Sequence, residues 1–346
     1  MPDSSLPVVL PLPSDLAPEV AAQRARPAGG LLFLDSALRD ARLGRYSYVA
    51  SSPSGAIRFD KPAAALFDDL SRCLREFQNP DRSDLPPWQG GVAGYFGYEL
   101  GQALERIPTT RWNDYPLPAA QFHIYDVVAA FDHLEQKAWV LSSGYPETDP
   151  AARLRRAQER AAYFCDLLLT DNAQATPPAP TKENIAASEL APQFDVEGAA
   201  GLVSNFSRDG YLKAVQRVID YIHAGDAFQV NLSQRLLFPC QGDPFETYLR
   251  LRQRNPAPFA AYLDGGDYQI ASASPERFLF ARDGRIETRP IKGTRRRLAS
   301  PEADLYRADE LRASEKDRAE NVMIVDLLRN DLSKICTDES VQVTEL

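Results

Sequence analysis

Between residues 208 and 224 the apolar positions Tyr211, Val215, Val218 and Ile222 recur every three to four residues, the period of one helix face. Ser207 stands where a cap belongs, and Gly225 where a helix closes in a left-handed conformation. The same period places Leu154, Ala161, Phe164 and Leu168 on one side of a helix over residues 150–169, and Val322, Val325 and Leu328 at core spacing over 314–332. Asp243, Pro244 and Glu246 supply the cap, first-turn proline and capping acid of another helix.

Elsewhere the period is two. "YDVVAAFDHLEQKAWVLSSG" reads as a β-hairpin, and "AFQVNLSQR" as a strand with Phe228, Val230 and Leu232 on one face and Gln229, Asn231, Ser233 and Arg235 on the other. That polar face is either wetted, the commoner case for an antiparallel sheet, or lines a polar cavity. Residues 259–294 read as an antiparallel meander whose turns are Asp264-Gly265-Gly266 and Asp283-Gly284, residue types that tolerate positive φ. Apolar periodicity disappears in "TDNAQATPPAPTKENIAASEL", so residues 170–190 are expected to link an amino-terminal α/β domain, 1–169, to a second domain, 191–346. No internal repeat is visible.

Composition narrows the classes. With 44% apolar and 25% charged residues, the 346-residue chain suits a soluble globule rather than a disordered or fibrous one. The formal charge of -9 argues against sequence-independent binding to nucleic acid or anionic lipid, so an anionic ligand must be captured locally. Cys73, Cys165, Cys240 and Cys336 are widely spaced and only three histidines are present, which suggests neither a disulfide framework nor a structural zinc site and suits a reducing cytoplasm. The first residues, "MPDSSLPVVLPLPSDL", lack the basic region of a signal peptide, and no apolar stretch approaches the ~20 residues needed to span a bilayer.

Three residues of the second domain are candidates for chemistry: Glu276 in "SPERF", Lys292 in "PIKGT" and Glu320 in "DRAEN". Glu276 and Lys292 are nearly equidistant from the Asp283-Gly284 turn, which predicts that they meet across a strand pair, with β-carbons ~5 Å apart. A lysine amine, with a reference pKa near ~10.4, is a nucleophile at neutral pH only if desolvation or neighbouring positive charge releases its proton. Arg295, Arg296 and Arg297 stand close by in sequence. On pattern alone an exposed Lys-Glu pair, worth a few tenths of a kcal/mol, is the commoner arrangement, and Glu320 is an ordinary solvated helix acid. The triple arginine lacks the interleaved aromatics of a nucleic-acid site, and "GGVAGYFGYELG" lacks the ending and spacing of a phosphate loop, so it is read as a tightly packed turn region.

Taken together, "GDAFQVNLSQR", "SPERF", "TRPIKGTRRR" and "DRAENVMIVDLLRNDL" resemble the chorismate-utilising family that includes the large subunits of anthranilate synthase and aminodeoxychorismate synthase, the aminodeoxychorismate branch most closely. "RYSYVASSP" and "GGVAGYFGYELG" resemble that family's amino-terminal half. The resemblance implies an α+β fold of two orthogonally packed antiparallel sheets flanked by helices. It also implies amination of chorismate to 4-amino-4-deoxychorismate, towards 4-aminobenzoate and folate, with ammonia from a glutamine amidotransferase partner. Lys292 would then add to the substrate ring as the 4-hydroxyl leaves, a position at which anthranilate synthases usually carry alanine. Glu276 would be the acid/base carboxylate, a role that calls for burial. Gly293 and Thr294 would hold a substrate carboxylate, and Glu320 would be one of two glutamates binding Mg²⁺.

Ser36, Leu43, Gly44, Arg45 and Tyr46, with Pro258, Phe259 and Ala260, match positions lining the family's tryptophan pocket; Asp35 stands where the feedback-inhibited enzymes have glutamate, which leaves open whether tryptophan regulates, merely fills the site or is absent, and a structural or vestigial pocket is favoured. The resemblance further implies about a hundred residues beyond "VQVTEL", on the scale of a small domain, carrying a histidine near the substrate, a glycine-rich segment and the second Mg²⁺ glutamate. The chain is therefore expected to be C-terminally incomplete, with apolar faces left uncovered. Alternative readings are an anthranilate synthase component, or a catalytically incompetent fragment that binds tryptophan or a partner.

Overall fold

The computed structural model describes residues 6–344 except 41, 79–81, 110, 111, 113, 116, 171–189, 241, 294–299, 301–308 and 312. In chain order the strands are β1 (Val8–Leu12), β2 (Leu32–Asp35), β3 (Tyr46–Ala50), β4 (Gly55–Phe59), β5 (Gly91–Phe96), β6 (Ala120–Tyr125), β7 (Val127–Asp132), β8 (Lys137–Ser142), β9 (Phe194–Asp195), β10 (Val203–Ser204), β11 (Leu236–Leu237), β12 (Phe259–Asp264), β13 (Gln269–Ser274), β14 (Phe280–Arg282) and β15 (Arg285–Glu287). The helices are α1 (Pro18–Ala25), α2 (Ala65–Glu76), α3 (Pro150–Leu169), α4 (Arg208–Ala224), α5 (Pro244–Arg254) and α6 (Glu315–Ser333). The fold is α+β, and every strand pair among the described residues is antiparallel.

The centre is a seven-stranded sheet in the order β1-β8-β7-β3-β2-β12-β13. Strand β7 shows why it is buried on both sides: Val127, Ala129 and Phe131 enter a core with α1, α3 and α5, while Val128 and Ala130 enter a second core beneath Trp88, Ala93 and Tyr95. The second core joins the large sheet to a three-stranded sheet, β4-β6-β5, whose outer face is closed by Leu66 of α2. Strands β12 and β13 enter the large sheet through β2, so the boundary expected at 170–190 does not coincide with an edge of this sheet. Residues 171–189 of that expected linker lie outside the described residues.

Local signals read correctly. Ser207, Asp243 and Ser314 each accept a backbone N–H at the start of α4, α5 and α6, and Gly225 closes α4 at φ +81°. Three expectations fail. Residues 228–235 form no strand, because a strand needs a neighbour along its length to take its backbone groups, and among the described residues Asn205 does so only for Arg235 at the end. The meander is two separate hairpins: among the described residues β13 ends the large sheet, while β14 and β15 pair only with each other. "GGVAGYFGYELG" contains strand β5 rather than turns, and its glycine at 94 permits close strand approach, since a β-carbon there would lie 2.0 Å from the Gln121 carbonyl oxygen.

The core is uneven. Neither α4 nor α6 contains a buried residue, and Val322, at core spacing in the sequence, is 53% exposed. Phe228, Phe238 and Phe278 are exposed too. The apolar stripes on these helices are only partly covered by the described residues: Tyr211, Val215, Val218, Val325 and Leu328 are half-buried, while Ile222 and Val322 are exposed.

Candidate functional site

The site is built around the β14–β15 hairpin. Asp283 at φ +50° and Gly284 at φ +71° form its turn, and Phe280 faces Glu287 at the far end of the ladder. Past that point the two arms stay together through side chains. Thr288 Oγ1 donates to the Phe278 carbonyl at 2.7 Å, and Ile291 N–H donates to Glu276 Oε1 at 2.9 Å. Glu276 thus meets the residue before Lys292 rather than Lys292 itself, since continuing the register places 276 opposite 291. The carboxylate and the lysine lie on adjoining positions, but Glu276 is exposed, so the burial expected of an acid catalyst is not supplied by the described residues.

Lys292 and Gly293 are half-buried, and Gly293 touches α6. It holds φ +73°, and a β-carbon on it would lie 2.7 Å from Leu311 Cδ1 and 3.1 Å from Asp317 Cβ. Asp317 is one helical turn before Glu320, so the two carboxylates share the α6 face on which the 291–293 segment rests. Asp317 was missed in the sequence, although its i, i+3 spacing from Glu320 was a usable signal. Gly293→Ala is expected to strain the backbone by about 1 kcal/mol and push Lys292 off this face. In an active chain, turnover should fall about 10²-fold with circular dichroism unchanged; unchanged turnover would show that the close contact does not position the lysine.

Charge around the hairpin is organised by Glu287, which pairs with Arg289 at 2.8 Å and with Arg277. The hydrogen bond from Arg289 holds its carboxyl below the usual range against the opposing effect of burial, and Arg277 adds a weaker pull in the same direction. Arg277 also lies over the rings of Phe280 and Phe259, at 4.8 and 5.8 Å. Thr294 and Arg295–Arg297 lie outside the described residues. Among the described residues no group of three His, Cys, Asp or Glu side chains could hold a metal ion. Glu320 and Asp317 are oxygen donors of the kind Mg²⁺ takes, but they make at most one side of a site. Helix α6 also borders two open grooves of about 730 and 720 Å³; neither is lined by Glu276, Lys292 or Glu320.

The residues matched to a tryptophan pocket gather at one end of β2, β3 and β12. Ser36 N–H donates to Ser47 Oγ at 3.0 Å, and Ser36 Oγ donates to the Tyr46 carbonyl at 2.5 Å. Leu43 N–H donates to Asp40, and the Gly44 backbone packs so tightly on residues 38–40 that a β-carbon would lie 2.2 Å from the Leu38 carbonyl oxygen. Arg45 forks onto Asp132 at 2.6 to 3.1 Å. From the other side Ala260 pairs with Asp35, Ala257 accepts from Leu38 N–H at 3.1 Å, and Phe259 adjoins half-buried Pro258. His133, not singled out in the sequence, bonds Ser47 Oγ at 2.8 Å, and burial pushes its imidazole below the usual range. Asp35 points away from this group: it receives Tyr248 OH at 2.9 Å and Arg252 Nε at 2.5 Å.

An α+β assembly of antiparallel sheets sets the fold class, and the comparisons agree. The chain belongs to the chorismate binding enzyme family, whose model matches residues 35–346. It is 40% identical over 284 residues to anthranilate synthase component 1 of Thermus thermophilus, covering 82% of this chain and 55% of that protein. It is 35% identical over 304 residues to aminodeoxychorismate synthase component 1 of Escherichia coli, covering 88% and 59%. The chain thus spans rather more than half the length of these relatives. The crystal structure of anthranilate synthase component I from Streptococcus pneumoniae superposes with a TM-score of 0.68 at 26% identity, covering 89% of this chain and 66% of that one. The menaquinone-specific isochorismate synthase of Escherichia coli shares the fold at a TM-score of 0.55 and 14% identity, covering 93% and 63%. No helix among the described residues is long and apolar enough to cross a membrane.

Proposed function

We propose that, within a polypeptide of its relatives' length, this chain aminates chorismate to 4-amino-4-deoxychorismate on the route to 4-aminobenzoate and folate. The observation that carries the reading is the Ile291 N–H to Glu276 Oε1 bond, which sets a carboxyl group beside Lys292 on a hairpin resting against α6. Lys292 Nζ forms a bond to the ring carbon while the bond to the 4-hydroxyl breaks. Glu276 supplies the proton with which that hydroxyl leaves as water. Ammonia then displaces the lysine, drawn from a glutamine amidotransferase partner; that the relatives are named as component 1 supports a second component. Gly293 and Thr294 hold a substrate carboxylate. Glu320 would hold Mg²⁺ together with the substrate's carboxylate, and the ion would supply charge neutralisation for a dianion. All four cysteines are free thiols, which suits the cytoplasm. Ser36, the stretch Leu43 to Tyr46, and Pro258 to Ala260 form a structural counterpart of a tryptophan pocket.

A second reading, anthranilate synthase, is favoured by the 40% identity to the Thermus thermophilus protein. Lys292 weighs against it. The two separate in one experiment, in which the chain extended to its relatives' length is given chorismate, Mg²⁺ and ammonia and the product is resolved by chromatography. 4-Amino-4-deoxychorismate supports the proposal, and fluorescent anthranilate as the sole product overturns it.

A further inference from the structure

A buried run of polar side chains joins β6 to the turn between β12 and β13, far from the hairpin of the candidate site. Its proton positions follow from counting donors. The Gly265 carbonyl can only accept, and it takes a hydrogen from Gln121 Nε2 at 3.2 Å. The Arg58 guanidinium can only donate, and it lies 3.4 Å from Gln121 Oε1, which also receives Tyr268 OH at 2.8 Å. Both neighbours fix the same orientation of the amide. Its second N–H therefore points at His123 Nε2, 3.0 Å away, which must be a lone pair. On the other side of the ring Tyr125 OH spends its single hydrogen on the Gly30 carbonyl at 2.8 Å, so at 3.1 Å it can only accept from His123 Nδ1–H. His123 is held as one neutral tautomer.

We propose that this run is an acid-sensitive latch: neutral His123 fastens the Gly265–Tyr268 turn to the three-stranded sheet, and protonation at Nε2 releases it. A charged ring would present N–H to N–H at Gln121, and rotating the amide to accept would instead set its oxygen against the Gly265 carbonyl. The ring touches Gln121 and Tyr125 on β6 and is opposed by Ala56 on β4 and Ala93 on β5; Asp264 of β12 acts on it by charge, while Arg58, Tyr95, Asp267 and Tyr268 gather around Gln121. Burial lowers the proton affinity of His123, and Asp264 opposes this only in part. As the folded imidazole titrates below the unfolded value of about 6.5, the unfolded state takes up the proton first, so stability is fully present above that value and is lost as pH falls from it through the folded midpoint.

The test uses the full chain labelled with ¹⁵N-histidine, followed by long-range ¹H–¹⁵N correlation from about pH 8 to about pH 5. Only three histidines are present, so His133→Gln and His223→Gln assign the third, and His133→Gln also removes the other buried ring from the pH dependence. The expected result is an Nδ1–H ring that titrates below about pH 6.5, with the opening constant of residues 265–268, read as amide exchange divided by the base-catalysed intrinsic rate, rising by up to about tenfold per pH unit between that value and the folded midpoint. An Nε2–H tautomer, or titration with no rise in that opening constant, overturns the latch. Gln121→Glu supplies an independent check, because its carboxylate can accept from Nε2–H. The midpoint should then rise by about a unit or more, while the turn, having lost the donor to the Gly265 carbonyl, should be open at about pH 8 as well as in acid; an unmoved midpoint overturns the proposal.

Discussion

In a chain of the relatives' length, Lys292→Ala is expected to lower the rate of chorismate amination by about 10³-fold or more, the scale on which removal of a covalent nucleophile is felt. The loss should be specific to chemistry. Lys292 is half-buried beside a segment whose backbone is fixed by the Ile291 bond to Glu276 and by the packing of Gly293 on α6, so its side chain is not needed to hold that segment. Unfolding free energy should therefore stay within about 0.5 kcal/mol of the parent. Lys292→Arg sharpens the test, since a guanidinium keeps the charge but cannot serve as the nucleophile. Loss in both variants indicates covalent attack. Full activity in the arginine variant would show that only positive charge is required, and the proposed mechanism would be wrong.

The largest expected effect on stability lies elsewhere, at Arg252. Asp35 is buried at the end of β2, and Arg252 of α5 grips it through Nε at 2.5 Å and Nη2 at 3.2 Å while also lying 3.4 Å from Glu19. Arg252→Leu would leave a buried carboxylate with Tyr248 OH as its remaining bond, at a cost of about 3–5 kcal/mol. Thermal unfolding should show a melting temperature lower by on the order of 10 °C. Asp35→Leu in the same chain should recover much of the loss, because no charge then stays buried without its partner. If the two substitutions simply add, the pair is not coupled and the account of α5 anchoring fails.

These contrasts show what a sequence makes legible. Ser207, Asp243 and Ser314 declare helix starts because each acts on a backbone group two or three residues away, and Asp283-Gly284 declares its turn for the same reason. Partner choice is not local. Nothing in residues 269–274 announces that β13 pairs back on β12 alone, and nothing in 228–235 announces that a strand-like pattern goes unpaired. The nearness of Glu276 and Lys292 was legible to within one residue, because the turn fixes the register and the arms merely extend it. The chemistry assigned to Lys292, Glu276 and Glu320 rests on motif resemblance; spacing alone favoured solvated side chains. The Asp35–Arg252 pair, 217 positions apart, left no trace in the sequence at all.

That separation also orders events during synthesis. Strand β2 lies between β3 and β12, so one side of it waits for a partner that leaves the ribosome more than two hundred residues later. Until residues 259–264 emerge, β2 is an open edge with Phe33 and Leu32 beside it, and closing so long a loop is slow because its entropy is lost before the new contacts form. The first 169 residues therefore cannot complete the large sheet as they appear. They must stay unaggregated with one unpaired strand for the roughly 5–20 seconds that translation at roughly 5–20 residues per second takes to deliver β12, which makes the nascent chain a natural client for holding chaperones.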